Sequence, residues 1–149
     1  MQATSRPDQA EPYYEQVLKI QPGNPVALNN LAYFKAEEGG DLDQALTMAQ
    51  QARQKAPNSA QTADTLGFVY LKKNMTAEAI ATFHEALQED SSPSPNHHYH
   101  LAMALNQNGE IPAAVQELQT ALASDPSQND KEQIQALFQE LVQLPGARR

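Results

Sequence analysis

The sequence predicts an all-α fold, a solenoid of stacked helix-turn-helix units with a C-terminal capping helix, on three observations. The first is a beat of 35 residues: Leu31-Ala32, Leu66-Gly67 and Leu101-Ala102 recur at that spacing. The second is an alanine pattern locked to it. Ala45, Ala79 and Ala114 follow each leucine by 13 or 14 residues, and Ala52, Ala86 and Ala121 come 7 residues after those. The third is the punctuation, with Pro57 and Pro126 closing two of the units. A repeat of this length is one supersecondary unit stacked on itself, because a single helix pair cannot bury its apolar stripe alone. Function in such a body belongs to a surface rather than to an enclosed catalytic pocket.

Residues 1–9 are polar, contain Pro7 and lack periodicity, so they read as a tail. A half unit follows over 10–22, where Tyr14, Val17 and Leu18 form one helical face that ends at Gln21-Pro22-Gly23-Asn24. Three complete units are expected at about 25–57, 60–92 and 95–126. In the first, Gly39-Gly40-Asp41 supplies a left-handed C-cap and then an N-cap carboxylate. In the second, Thr76 offers a hydroxyl N-cap, and Ser94 with Pro95 opens the third. Pro112 falls in the first turn of the helix that starts near Ile111, where its missing N–H costs nothing. Residues 127–144 form the capping helix, with Ile134, Leu137, Phe138, Leu141 and Val142 on one face and a glutamine-rich back. Pro145-Gly146 ends it, and 145–149 is a second tail. A chain that opens halfway through a unit fits a piece of a longer array.

The units read Leu28, Leu31, Ala32, Ala45, Ala49, Ala52, Pro57, then Ala63, Leu66, Gly67, Tyr70, Ala79, Phe83, Ala86, with Ser91 where proline would fall. The third reads His98, Leu101, Ala102, Leu105, Ala114, Leu118, Ala121, Pro126, and the half unit offers Ala10, Tyr14, Val17 and Pro22. This pattern resembles the tetratricopeptide repeat (TPR) family, whose units carry a large apolar residue, Leu-Gly/Ala, two alanines flanking an apolar residue, and proline at fixed offsets. The run from Leu28 to Tyr33 and the run from Asp64 to Phe68 are similar to the C-terminal part of longer bacterial TPR proteins. The resemblance implies a right-handed superhelix in which small residues let the paired helices approach closely.

The resemblance also implies where a ligand would sit. In this family the first helix of each pair lines a concave face, and its ligand positions map onto Asn29 and Tyr33, Asp64 and Phe68, and Tyr99 and Met103. Aromatic and methionine side chains bring much contact area with little ordering cost, so these residues suit an extended or helical peptide. The same rings could instead pack against a neighbouring unit. The chaperone-binding subclass clamps a carboxylate with Lys and Asn, but Asn29 stands where that clamp has Lys, Tyr33 where it has Asn, and the third unit has no basic residue. The expected function is thus a non-catalytic scaffold for protein–protein interaction through the concave groove.

Charge narrows the partners. Net charge is −8, and between Asn74 and Asp130 there is no Lys or Arg against eight carboxylates. Nucleic-acid affinity comes largely from Lys and Arg on phosphates, so nucleic acid is excluded and an apolar or basic protein or peptide is favoured. No apolar run reaches the ~18 residues that mark a candidate membrane span, and no basic-then-apolar leader opens the sequence. The absence of cysteine fits both cytoplasm and bacterial periplasm and removes disulfides and thiolate chemistry. No phosphate loop, zinc motif or nucleophile elbow is present, so neither a cofactor nor a catalytic residue is expected.

Two other readings stand beside the groove. Tyr13, Tyr14 and the open edge of the half unit could stack on a second copy, making a self-associating module, or on preceding repeats of a longer parent. The run His97-His98-Tyr99-His100 places His97 and His100 on one helical face, a spacing that can give a metal two ligands or form a pH-responsive patch. No third ligand is evident, so no metal is assigned, and His98 sits at the large apolar position that packs inward.

Overall fold

The computed structural model describes residues 7–91 and 93–144, which form eight helices: α1 (Pro7–Ile20), α2 (Pro25–Glu38), α3 (Leu42–Lys55), α4 (Ala60–Lys72), α5 (Thr76–Glu89), α6 (Pro95–Gln107), α7 (Ile111–Ala123) and α8 (Gln128–Val142). No strand occurs among the described residues. Three hairpins, α2/α3, α4/α5 and α6/α7, stack in chain order as an α-solenoid. Helix α1 packs on α2 as each second helix packs on the next unit's first, and α8 packs on α7 as a first helix does.

The ends of the helices follow local chemistry. Asn24 Oδ1 accepts the Ala27 N–H at 3.0 Å ahead of Pro25 at the start of α2. Gly39 takes the left-handed C-cap at φ 72°, and Asp41 Oδ1 then accepts the Gln44 N–H at 2.9 Å. Ser94 Oγ accepts the Asn96 N–H at 3.2 Å, and Ser127 Oγ accepts that of Asp130 at 3.2 Å. Pro112 lies in the first turn of α7, where no intrahelical donor is lost.

Two local expectations differ. Helix α1 starts at Pro7 rather than residue 10, because proline's fixed φ suits a first helical turn. The remaining tail residues, 1–6 and 145–149, lie outside the described residues, as does Ser92. Thr76 does not cap α5. Met75 holds the N-cap position without a side-chain bond, while Thr76 Oγ1 donates to Gln107 Oε1 of α6 at 2.6 Å. The chain reverses ahead of α5 through Asn74, whose φ of 62° uses the left-handed tolerance of asparagine.

The second helices carry the core of each hairpin. Ala45, Ala49 and Ala52 of α3, Ala79, Phe83 and Ala86 of α5, and Ala114, Leu118 and Ala121 of α7 are all fully buried at 0% exposure. Leu31 is buried as well, and one apolar core containing Ala45, Val69, Phe83, Leu101, Leu118, Ile134 and Leu141 runs through the stack into α8. Gly67 marks the tightest approach: a Cβ there would stand 2.7 Å from Phe83 Cδ1 and Cε1. Across units, Arg53 Nη2 of α3 meets Glu85 at 3.1 Å and Glu89 at 3.0 Å on α5, while its Nη1 donates to the Ser59 carbonyl at 3.1 Å.

Candidate functional site

The backbones of the first helices approach one another in succession, α2 to α4, α4 to α6 and α6 to α8, whereas those of the second helices stay farther apart, α3 reaching α5 through the long Arg53 side chain. The first-helix side is therefore the inner, concave side of the curve, and it carries the six residues expected to meet a ligand. Packing divides them into two groups.

Nearer the N-terminal units, the wall is satisfied by its own contacts. The Tyr33 ring stacks on Phe68 with centroids 4.6 Å apart at 21°. His100 closes on the same rings, 5.1 Å from Phe68, 5.8 Å from Phe83 and 6.1 Å from Tyr33. Its Nδ1 lies 3.0 and 2.8 Å from the two Asp64 oxygens, so the pair ties α4 to α6. Asp64 is 5% exposed and Phe68 4%, and Lys72 Nζ covers the Phe68 ring from 5.3 Å. Asp64 and Phe68 thus pack between units, because aromatic rings contributed at matching positions of neighbouring first helices stack on each other. Tyr33 is half-buried, and Asn29 keeps an enclosed Oδ1 without a hydrogen-bond partner among the described residues.

Burial and the nearby carboxylates Glu37, Asp64 and Asp130 hold the Tyr33 phenol neutral well above the ordinary tyrosine range. Burial and Asp130 push the Tyr99 phenol up as well. The phenols stay hydrogen-bond donors, set among anionic groups.

Toward the C-terminal units the wall opens into a trough of about 500 Å³ between α4, α6 and α8. Tyr99 and Met103 of α6, Leu71 of α4 and Leu137 of α8 form its apolar part, and Lys72 and Asn106 stand beside them. This size falls in the range of ligand-holding clefts. Leu71 and Leu137 were not among the residues expected from the sequence. Leu137 belongs to the greasy face of α8, and only the angle at which α8 docks on α6 and α7 turns it toward the trough.

The histidines diverge. His97 and His100 are buried at 4% and 6%, whereas His98 turns out to Glu117 of α7 with Nδ1 at 2.8 Å. His98 is thus largely covered against the second helix of its own unit, with 14% of its side chain exposed, while His97 and His100 are buried more fully. His97 Nδ1 stands 4.0 Å from Asp90 Oδ2, beyond hydrogen-bond reach. His97, His98 and His100 each face a different carboxylate, and no group of three metal-ligating side chains comes together among the described residues. No helix among them is long and apolar enough to cross a membrane.

The tetratricopeptide repeat family model matches residues 2–67 and 70–141. Among solved structures, YrrB, described as a TPR protein with an unusual peptide-binding site, superposes with a TM-score of 0.67 at 19% identity over 87% of this chain. MamA superposes with a TM-score of 0.66 at 20% identity over 92% of this chain. The chain spans 64% of the length of YrrB, less than two thirds, and 83% of MamA. At these identities the likeness concerns the fold. No curated protein sequence matches this one. With the repeat signature matched over most of its length and six of the eight described helices stacked as three hairpins, the chain belongs to the tetratricopeptide repeat family.

Proposed function

We propose that this protein is a non-catalytic interaction scaffold that holds a segment of a partner protein in the trough between α4, α6 and α8. The observation that carries this reading is the contrast along the concave wall. Tyr33, Phe68, Asp64 and His100 are spent on one another, whereas Tyr99, Met103 and Leu137 line open space. A partner would seat an apolar side chain on these three and meet the Asn106 amide with its backbone. Most of its affinity would come from that desolvated centre. Basic flanks suit the carboxylate-rich stretch from Glu78 to Asp130, and the same stretch disfavours nucleic acid. The peptide-binding site named for YrrB adds support from a protein of the same fold.

Affinity capture from the source lysate, read by mass spectrometry, compares wild type with Met103→Glu and with the milder Tyr99→Ser, each checked for helical content by circular dichroism. Loss of the same protein from both folded variants is the expected result. Equal capture by wild type and both variants overturns the trough as the working surface.

A further inference from the structure

The trough has a polar end as well as an apolar centre. Lys72 closes α4 and Gln107 closes α6, at matching levels of neighbouring first helices, and both line the trough together with Asn74. Gln107 lies four residues beyond Met103 on α6, about 6 Å of helix rise. The polar end is thus one helical turn from the middle of the apolar wall.

Hydrogen bonds orient this end. Thr76 Oγ1 donates to Gln107 Oε1 at 2.6 Å, and Gln107 Nε2 donates to Asn74 Oδ1 at 3.2 Å. Each amide oxygen already accepts a bond, so what the relay has left to offer is N–H: the Asn74 Nδ2 group and the second Gln107 Nε2 hydrogen. Lys72 adds a donor that is also charged. Its neighbour Lys73 is held by Asp43, and Lys35 by Glu11 at 3.6 Å, whereas Lys72 meets no carboxylate among the described residues and rests its ammonium 5.3 Å from the Phe68 ring. It is the one charged residue that lines the trough.

An occupant therefore finds an apolar wall that ends in N–H donors and a single positive charge, in a chain whose net charge is −8. A backbone carbonyl answers the amides and leaves Lys72 unmatched. A carboxylate answers both, since its two oxygens accept several hydrogen bonds and carry the opposite charge. Lys72, Asn74 and Gln107 are exposed, on the rim of the trough and not its floor, so the carboxylate reaches them on a side chain while the backbone runs on.

We infer that the trough selects a partner segment with Asp or Glu two residues away from the apolar side chain that it seats, the carboxylate on Lys72 and Asn74 and the apolar side chain on Met103. An extended chain advances about 3.3 Å per residue and turns residues i and i+2 to one side, which matches the step from Met103 to Gln107. The surface beyond the rim still favours basic flanks, so the motif is one acid set inside them. This inference rests on the trough being the working surface.

The test selects random peptides about a dozen residues long, displayed on phage with their C-termini fused to the coat protein, on the full chain. No free C-terminus is then present, and a carboxylate can come only from a side chain. Wild type and Lys72→Arg should both enrich an acidic residue two positions from a large apolar one. Lys72→Glu, with its fold confirmed by circular dichroism, should lose the acidic preference and keep the apolar one. The leading peptide, resynthesised with its acid changed to the amide, should bind wild type about two- to fivefold more weakly, the scale of an exposed ion pair, and the difference should shrink at high salt. Selected peptides with an apolar residue and no acidic preference overturn the inference and leave the trough standing. So does an acidic preference that survives Lys72→Glu. Peptides that bind folded Met103→Glu and Tyr99→Ser as well as wild type, or a selection that enriches nothing, overturn the trough and this inference with it.

Discussion

Gly67→Ala is a small change whose sign the structure reverses. In an exposed helix interior it would stabilise by about 1 kcal/mol, because alanine restricts the unfolded chain and favours the helix. At Gly67 the new Cβ would sit 2.7 Å from two ring carbons of Phe83 and 3.1 Å from Cγ. Phe83 is fully buried, so the ring has no free space to enter. Relief requires α4 and α5 to separate or Phe83 to leave its rotamer, and overpacking of this kind costs about 1–3 kcal/mol. Contact with a rigid ring belongs in the upper part of that range. Subtracting the helix gain leaves a net loss of about 1–2 kcal/mol, or roughly 3–6 °C in Tm for a chain of this size.

The assay is urea unfolding followed by circular dichroism for wild type, Gly67→Ala, Phe83→Leu and the double variant. Phe83→Leu alone should destabilise by leaving unfilled volume. In that background the alanine should be neutral or stabilising, because the ring it collides with is gone and the propensity gain remains. The reasoning is refuted if Gly67→Ala stabilises the wild type. It is equally refuted if the alanine costs the same with and without Phe83.

Two further outcomes follow from buried polar groups. Asp64→Ala should cost about 1–3 kcal/mol, because it strips His100 Nδ1 of its acceptor inside the wall; a cycle with His100→Phe, read by urea unfolding, should show the two changes to be strongly non-additive. Tyr33 ionises in the folded state only above its unfolded value of 10.0, so the stability it contributes is complete below that pH and declines as pH rises past it. Alkaline unfolding should therefore set in at lower pH for wild type than for Tyr33→Phe, and ultraviolet titration of the folded variant should lose a phenol that ionises well above 10.0.

Much of this architecture is legible in the residues because a solenoid is specified locally. The 35-residue beat, the small residues at Ala32, Gly67 and Ala102, and the caps at Asp41 and Ser94 each act within a few turns of helix, so neighbours in sequence suffice to place α2 through α7. The start of α1 and the capping of α5 escaped the same reading. Pro7 can open a helix as readily as it can sit in a tail, and a threonine one residue late loses its place to the turn at Asn74.

The wall of the groove was less legible, since it is made of contacts between units. Periodicity put Asn29, Tyr33, Asp64, Phe68, Tyr99 and Met103 on the inner helices, but ring stacking and a carboxylate–imidazole pair across 36 residues determine which of them remain open. No spacing rule within one helix pairs Asp64 with His100. The residues alone established an all-helical, repeat-built, acidic chain. Tertiary packing decided that the inner wall is closed at Phe68 and open at Tyr99. Burial depends on what a neighbouring unit brings to each face, and that is a property of the assembled stack.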